Sequence, residues 1–211
     1  MEKLIWVYDS PYSRCIKWLL LKQRTEHQDY ILSWKEMASD KLLSKFNPKK
    51  QVPTLIRETA ARTDSLLIGL DYLPNDWHQT LDAKMFRLAD SEVEAAIIFL
   101  FRANLLQDKF GESDNSRLMR DAGLNTFKVS VDNLIDQLLS KEDFSQANFG
   151  AVLLLSTLLA AISLSGGELA SYRHHELLKF AAIIETDKHY LQMISDYQGN
   201  ENNSVPFEFP R

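Results

Sequence analysis

Ser10 is the side chain near the start of the sequence that is best placed to act on a ligand. It follows the short apolar run Leu4 to Tyr8 and stands immediately before Pro11. This pattern puts the serine at a helix N-terminus, where free N–H groups and the helix dipole favour negative charge. Its hydroxyl could therefore donate a hydrogen bond to an anion. It could equally do no more than cap the helix, because Ser followed by Pro is a common helix start.

Two later segments also carry groups that could bind a ligand. Val52-Pro53 opens a predicted strand, and an X-Pro bond is cis in only about 5% of cases in folded proteins. Asp64 and Ser65 begin a predicted helix, and both are good capping residues. The loop before Val52 contributes the polar side chains of Lys49, Lys50 and Gln51. A lysine in a loop is usually solvated, so these residues alone do not identify a site.

The sequence has no residue spacing typical of a metal or redox site. His174 and His175 are adjacent, so on a helix they point apart and cannot share a metal ion. Cys15 is the chain's single cysteine. It excludes an intrachain disulfide, fits a reducing compartment, and is expected to pack in the core. We therefore expect no metal cofactor.

Charge and hydropathy limit the possible partners and the location. The 211 residues carry a formal net charge of -5, and the pI is about 5.6, which argues against nucleic-acid binding. The first apolar run is too short for a signal peptide. The apolar stretch from Gly150 to Leu164 is shorter than the roughly 20 residues of a membrane-spanning helix and predicts a buried helix. We expect a cytoplasmic protein that binds neither nucleic acid nor membranes.

The elements that must position these residues alternate between strand and helix in the first part of the chain. Strands are predicted at Leu4 to Tyr8, Gln28 to Leu32, Thr54 to Arg57 and a short segment ending at Thr63. Helices are predicted at Pro11 to Gln23, Lys35 to Phe46, and from Asp64-Ser65 to near Pro74. The breaker Pro74 and the turn formers after it predict a boundary between domains at residues 1–75 and 80–211.

Beyond this boundary the periodicity is helical throughout. Ser145 is predicted to cap the apolar helix, with Asn148 at its third position and with Phe144 and Phe149 forming a hydrophobic staple. A last helix is predicted from His174 to Tyr197, followed by a polar tail.

Three segments of the first domain together resemble the glutathione transferase family, most of all small bacterial members with a Ser-Pro-Phe type first motif. They are Ser10 to Arg14, Asn47 to Leu55, and Asp64 to Ile68. Each motif is weak alone, but their order and spacing make the resemblance specific. The family usually has Gly where Lys50 stands and Asp where Asn148 stands. The resemblance implies an α/β thioredoxin-like domain, βαβαββα with a mixed four-stranded sheet, followed by an all-α domain.

The resemblance also implies roles for the residues introduced above. Glutathione would be the co-substrate, and the Ser10 hydroxyl would stabilise its thiolate. A cis Val52-Pro53 bond would turn the backbone of Val52 toward the cysteinyl part of glutathione. Asp64 and Ser65 would hold the γ-glutamyl end. The remaining residues expected at the glutathione site are Tyr12 and Gln51.

We therefore interpret the sequence as that of a glutathione transferase acting on a small hydrophobic electrophile. The segment Ser10 to Ser13 stands where glutaredoxins have Cys-Pro-Tyr-Cys, so the protein cannot form a catalytic disulfide of its own there. Two alternatives stay open: a cysteine-less glutathione-dependent disulfide reductase, and a non-catalytic protein-interaction module with the same fold. The resemblance and the apolar run from Ala95 to Phe101 both favour a homodimer.

Overall fold

The computed structural model describes residues 1–140, 144–196, 205–206 and 208–210. These residues form two compact units. The first unit contains Met1–Trp77 together with the helix Lys188–Ser195, and the second contains His78–Asp187 with the described residues from Val205 onward. The domain limits expected from the sequence, 1–75 and 80–211, stay predictions.

The elements are as follows in chain order. Up to residue 70 they are β1 (Glu2–Trp6), α1 (Pro11–Lys22), β2 (His27–Ile31), α2 (Trp34–Met37), α3 (Lys41–Phe46), β3 (Thr54–Arg57), β4 (Ala60–Arg62) and α4 (Ser65–Leu70). A short 3-10 turn (Trp77–Gln79) precedes α5 (Leu81–Arg87), a first π segment (Leu88–Val93), α6 (Glu94–Phe110), α7 (Asp114–Asn133) and a second π segment (Leu134–Leu139). The remaining helices are α8 (Phe149–Leu164), α9 (His174–Glu185) and α10 (Lys188–Ser195).

The strands form a four-stranded sheet in the order β2-β1-β3-β4. β1 pairs with β2 in parallel and with β3 antiparallel, and β3 pairs antiparallel with β4. The sheet is therefore mixed, as predicted, although β1 begins and ends two residues earlier than the sequence suggested. No strand follows Trp77 in the described part of the chain, which confirms the α/β domain followed by a helical region.

The single helix predicted from Lys35 to Phe46 is wrong, because the structure has two short helices there. Ser33 and Glu36 form a capping box that starts α2. Asp40 then caps α3 by accepting a hydrogen bond of 2.7 Å from the N–H of Leu43. Asp and Ser side chains bond to nearby backbone in this way and so favour helix starts over helix interiors.

The predicted cap of the long apolar helix is also wrong. Asn148, not Ser145, is the N-cap of α8, and its Oδ1 accepts a hydrogen bond of 2.8 Å from the N–H of Ala151. Phe149 stacks on Phe86, with ring centroids 5.3 Å apart, and the ring of Phe144 lies against that of Phe180. The helix therefore begins three residues later than predicted, because its first turn packs on α5.

This correction is testable with a pair of alanine substitutions. Asn148→Ala removes the acceptor for the Ala151 N–H and should lower the free energy of unfolding by about 1 kcal/mol. Ser145→Ala, at an exposed position, should change it by less than about 0.5 kcal/mol. Urea denaturation of both variants measures the difference. Equal losses of unfolding free energy, or a larger loss for Ser145→Ala, would contradict the assignment of Asn148 as the cap.

The last predicted helix, His174 to Tyr197, is interrupted in the structure. α9 ends at Glu185, where the hydroxyl of Thr186 donates 2.9 Å to the carbonyl of Ala182, and α10 begins at Lys188. A threonine that bonds back to the preceding turn disturbs the helix there. Tyr197 and the predicted polar tail up to Ser204 lie outside the described residues.

α10 packs against α1 within the first unit. Lys17 on α1 is only 3% exposed, and its ammonium lies 2.5 Å from Asp29 Oδ2 and 3.3 Å from Asp196 Oδ2. Tyr190 and Met193 of α10 are completely buried. Both apolar burial and a shielded ion pair therefore hold the C-terminal helix to the first unit.

α8 forms the centre of the second unit. Its residues from Phe149 to Ile162 are buried, as the apolar stretch predicted. Gly150 donates its N–H to the Asp82 carboxylate of α5. A Cβ at Gly150 would lie 2.0 Å from the carbonyl oxygen of Asp82, so only glycine allows this approach. Within the described residues, no helix has the length and the apolar character needed to cross a membrane.

Candidate functional site

The pairing of the strands brings the three predicted site segments to one end of the sheet. Ile5, near the end of β1, pairs with Thr54 at the start of β3, so Ser10 and Pro53 both lie beyond this end. Leu55 pairs with Arg62, the last residue of β4, so the residues that follow β4 lie there too. The sheet therefore gathers Ser10, Val52-Pro53 and Asp64-Ser65 in one region of the first unit.

Ser10 is the N-cap of α1. Its Oγ accepts a hydrogen bond of 3.2 Å from the N–H of Ser13, and the residue is 3% exposed. A hydroxyl group has two lone pairs and one hydrogen, so capping uses only part of its capacity. Among the described residues, no acceptor takes the hydroxyl hydrogen of Ser10. The cap and a hydrogen bond to a bound anion are thus compatible.

The residues that follow Ser10 on α1 are mostly buried and form hydrogen bonds within the protein. Ser13 is completely buried, and its Oγ accepts from the N–H of Val7 at 3.5 Å. Cys15 is also buried, as predicted, and its thiol donates to the carbonyl of Tyr12 at 3.2 Å. Arg14, to which the sequence assigned no role, is buried and donates from Nε to the carbonyl of Tyr8 at 2.6 Å. Arg14 thereby braces the turn that presents Ser10.

The Val52-Pro53 peptide bond is cis, as the resemblance implied. Val52 is half-buried, Pro53 is buried, and Gln51 is exposed. Neither the N–H nor the C=O of Val52 has a hydrogen-bond partner in the part of the chain that the structure describes. A backbone donor and acceptor left open side by side can pair with an extended peptide, as an added strand would.

Asn47 and Thr54 anchor this loop through side-chain hydrogen bonds. The sequence did not identify them as site residues. The amide of Asn47, 2% exposed, donates 2.9 Å to the carbonyl of Gln51 and 3.1 Å to Oγ1 of Thr54. The Thr54 hydroxyl donates 2.8 Å to the same Gln51 carbonyl. A buried polar pair at both ends of a loop fixes its backbone. The sequence signal was Asn47 before Pro48, which indicated only a helix end.

Lys50 adopts a left-handed backbone conformation with φ of 54°. Side chains with a Cβ pay a steric penalty in this region that glycine avoids. The ammonium of Lys50 donates to the carbonyl of Ala38, which ties the loop to the segment between α2 and α3. Lys50 therefore fixes the loop through its side chain while its own backbone is strained.

Two substitutions separate the backbone strain at Lys50 from its side-chain bond. Lys50→Gly and Lys50→Ala both remove the ammonium, and only Gly relieves the left-handed strain. We expect Lys50→Gly to be the more stable of the two by about 1 kcal/mol. Guanidinium denaturation of the two variants gives the difference directly. A more stable alanine variant would mean that the left-handed conformation is not adopted in solution.

Asp64 and Ser65 begin α4. Asp64 is its N-cap, and its Oδ1 accepts from the N–H of Leu67 at 3.0 Å. Ser65 is 9% exposed, and neither its hydroxyl nor its N–H has a partner within the described ranges. Capping thus occupies one oxygen of Asp64. The polar groups of Ser65 stay available at the same end of the sheet as Val52.

A network around Arg57 fastens the other end of α4. Arg57 pairs with Glu2 of β1 at 2.6 Å and with Asp71, which follows α4, and donates to the Tyr72 hydroxyl at 2.7 Å. Burial alone would lower the pKa of Arg57, but the bonds to Tyr72, Glu2 and Asp71 raise it overall. Burial and the bond to Glu2 raise the pKa of Tyr72, so its hydroxyl stays protonated at neutral pH. α4 is held to the sheet, which positions Ser65.

No protein-family model and no curated protein sequence matches the chain. Solved structures do match. A glutathione S-transferase from the Antarctic clam Laternula elliptica aligns with a TM-score of 0.71 and 15% identity over 96% of this chain and 95% of its own. A glutathione S-transferase from Xylella fastidiosa aligns with a TM-score of 0.72 and 17% identity, covering 93% and 98%.

A third match is a glutathione S-transferase from Methylobacillus flagellatus with glutathione bound. Its TM-score is 0.64 and its identity 17%, over 92% of this chain and 98% of that one. At these sequence identities, the comparison establishes only the fold. The chain has the glutathione transferase fold, in agreement with the mixed sheet and the helical region described above.

Proposed function

We propose that the protein is a glutathione transferase, which joins the sulfur of glutathione to a small hydrophobic electrophile. The observation that carries this proposal is the convergence of Ser10, Val52 and Ser65 at one end of the sheet. Each of the three has a polar group without a partner in the described structure. Together they offer a hydroxyl donor, an open backbone pair and a second hydroxyl, which suits a peptide that carries a thiolate and a carboxylate.

Each residue has a defined part in the proposed chemistry. The N–H and C=O of Val52 pair with the cysteinyl backbone of glutathione, while Ser65 receives the γ-glutamyl carboxylate and Asp64 its ammonium. Ser10 donates to the sulfur. A free thiol with a pKa of about 8.5 is only a few per cent ionised at neutral pH. A hydrogen bond that favours the anion raises this fraction and so supplies the nucleophile. Tyr12 and Gln51 complete the proposed glutathione site.

Calorimetric titration of the wild type with glutathione, followed by a conjugation assay with an activated aryl halide, tests this function. We expect saturable binding with one glutathione per chain and formation of the thioether. Binding with reduction of a mixed disulfide but no thioether would favour the disulfide reductase instead. If neither binding nor turnover is detected, the fold serves as an interaction module and the proposal is wrong.

We also propose that the protein is a homodimer in a reducing, cytoplasmic compartment. Ile98, Phe101 and Leu105 of α6 are 43%, 56% and 41% exposed. Their spacing of three and four residues places them on one stripe of the helix. An exposed apolar stripe of this kind on a soluble domain favours a protein partner, and a second copy of this chain satisfies it.

A charge placed in this stripe should abolish the dimer. We expect light scattering to give twice the chain mass of 24.3 kDa for the wild type and a single chain mass for Phe101→Asp. Phe110→Asp is the matched control, because Phe110 is 75% exposed on the same helix but lies away from the stripe. A wild type that is monomeric at micromolar concentration, or a control that also dissociates, would contradict the assignment of this surface.

A further inference from the structure

The second unit holds a segment that follows α10 in the chain, here called the tail (residues 205–206 and 208–210). The tail has neither helix nor strand. Val205 is 9% exposed and Phe209 only 2%, whereas Pro206 and Glu208 are exposed. The tail therefore lies on the surface of the second unit and is anchored there by two buried side chains.

Two polar side chains of α9 bind the backbone of the tail. Oε1 of Glu185 accepts a hydrogen bond of 2.5 Å from the N–H of Phe209. Nε2 of His174 lies 2.9 Å from the carbonyl oxygen of Pro210, and because a carbonyl can only accept, Nε2 is the donor. Glu185 ends α9 and His174 begins it, about three helical turns apart and so on the same face. Both ends of α9 thus converge on two consecutive residues of the tail.

The ring of Phe209 adds a contact that depends on the type of side chain. Its centroid lies 5.6 Å from that of the His174 ring. Leu178 and Ala181 share the face of α9 that carries His174, because they follow it by four and seven positions. Backbone hydrogen bonds that give affinity, together with a buried side chain that gives specificity, are the means by which proteins recognise peptides.

Glu185 is an unusual residue for a place that needs only packing. Its side chain belongs to a residue that is 8% exposed, and a buried carboxylate is costly unless it accepts hydrogen bonds. It also stands at the C-terminal end of α9, where the helix dipole disfavours negative charge. Apolar packing alone would favour an apolar side chain here. A carboxylate in this position suits the binding of a peptide N–H.

We propose that this face of α9 is a recognition site for a segment of another protein in which phenylalanine is followed by proline, and that the tail occupies the site as an internal competitor. The seated tail shows which chemistry the site accepts. A tethered ligand has an effective concentration on the order of millimolar, so the partner binds only by displacing the tail. The inference is independent of the proposed transferase activity, because the tail and α9 both belong to the second unit.

Variants of the full-length chain that release the tail test the proposal. Phe209→Asp removes the apolar anchor and places a second carboxylate near Glu185, and Phe209→Ala removes the anchor without adding charge. Glu208→Ala is the matched control, because Glu208 is an exposed residue of the same tail. The probe is an acetylated, amidated and fluorescently labelled peptide of residues 204–211. By fluorescence anisotropy, we expect both Phe209 variants to bind one peptide per chain, at least about tenfold more tightly than the wild type or Glu208→Ala.

Changes in the peptide test specificity without affecting the fold of the protein. Alanine in place of the phenylalanine of position 209 should abolish peptide binding, and alanine in place of the glutamate of position 208 should not. Glu185→Ala, added to Phe209→Ala, should weaken peptide binding at least about tenfold, with circular dichroism as the check on folding. The proposal is overturned if neither Phe209 variant binds the peptide, if the wild type binds it equally well, if the peptide without phenylalanine still binds, or if Glu185→Ala has no effect.

Discussion

Replacing Gly150 with alanine is expected to cost more than about 3 kcal/mol of stability, a large part of the roughly 5–15 kcal/mol by which a protein is stable. The added Cβ would lie 2.0 Å from the Asp82 carbonyl oxygen and 2.6 Å from the Phe86 nitrogen. Both are backbone atoms of α5, so neither can rotate away. Separating the helices would also break the bond from Gly150 to the Asp82 carboxylate. The gain in helix propensity from Gly to Ala, about 1 kcal/mol, is too small to offset these losses.

Gly123→Ala is the matched control for this prediction. Gly123 lies within α7, and its new Cβ would meet the Leu100 side chain at 2.8 Å and the Ala96 carbonyl oxygen at the less severe distance of 3.2 Å. A side chain can shift where a backbone cannot, so we expect a clearly smaller loss than at Gly150. Thermal unfolding followed by circular dichroism compares the two. Similar midpoints for Gly150→Ala and the wild type would show that α5 and α8 do not approach this closely.

Ser10→Ala should raise the pKa of the bound glutathione thiol by roughly one to two units and cut turnover at neutral pH roughly tenfold to a hundredfold. The reason is the loss of a hydrogen bond to a charged sulfur, worth about 1.5–3 kcal/mol. Glutathione affinity should change little, because Val52 and Ser65 hold the rest of the tripeptide. Stability should fall by about 1 kcal/mol, since the Ser10 oxygen also caps α1. Ultraviolet titration of the bound thiol measures the shift.

Ser13→Ala separates a direct effect of the Ser10 hydroxyl on the thiol from a general distortion of the start of α1. Ser13 is completely buried and contacts the backbone of Val7, so its loss should affect folding and not the thiol pKa. If Ser10→Ala still binds glutathione but shows an unchanged thiol pKa, Ser10 is only a helix cap. If both variants shift the pKa equally, the effect comes from distortion of α1 and not from the Ser10 hydroxyl.

Much of the first unit could be predicted because its local signals agree with its long-range structure. Ser10-Pro11, Val52-Pro53 and Asp64-Ser65 each mark an element boundary through capping chemistry or proline, and the structure places boundaries there. The cis bond at Val52-Pro53 followed only from the resemblance, because the residues themselves gave it a low prior. The glutathione contacts of these residues stay predictions.

The features that could not be predicted depend on contacts between distant segments. Asn47 supports the Val52 loop through Gln51 and Thr54, and nothing at Asn47-Pro48 distinguishes this role from a simple helix stop. Asn148 replaces Ser145 as the cap of α8 because Gly150 docks on Asp82, 68 positions away. The local pattern had placed Ser145 at the cap and Asn148 at the third helical position, and tertiary packing moved the start of the helix to Asn148.

The attachment of α10 to α1 has a consequence for how the chain is made. Synthesis runs from the N-terminus, and domains generally fold as they emerge from the ribosome. The first unit cannot be completed in this way, because Tyr190 and Met193, which are buried in it, are translated after nearly all of the second unit. The ion pair between Lys17 and Asp196 forms equally late. Until then, the face of α1 that α10 covers stays open to water and to other chains, so the nascent first unit spends most of translation without its final helix.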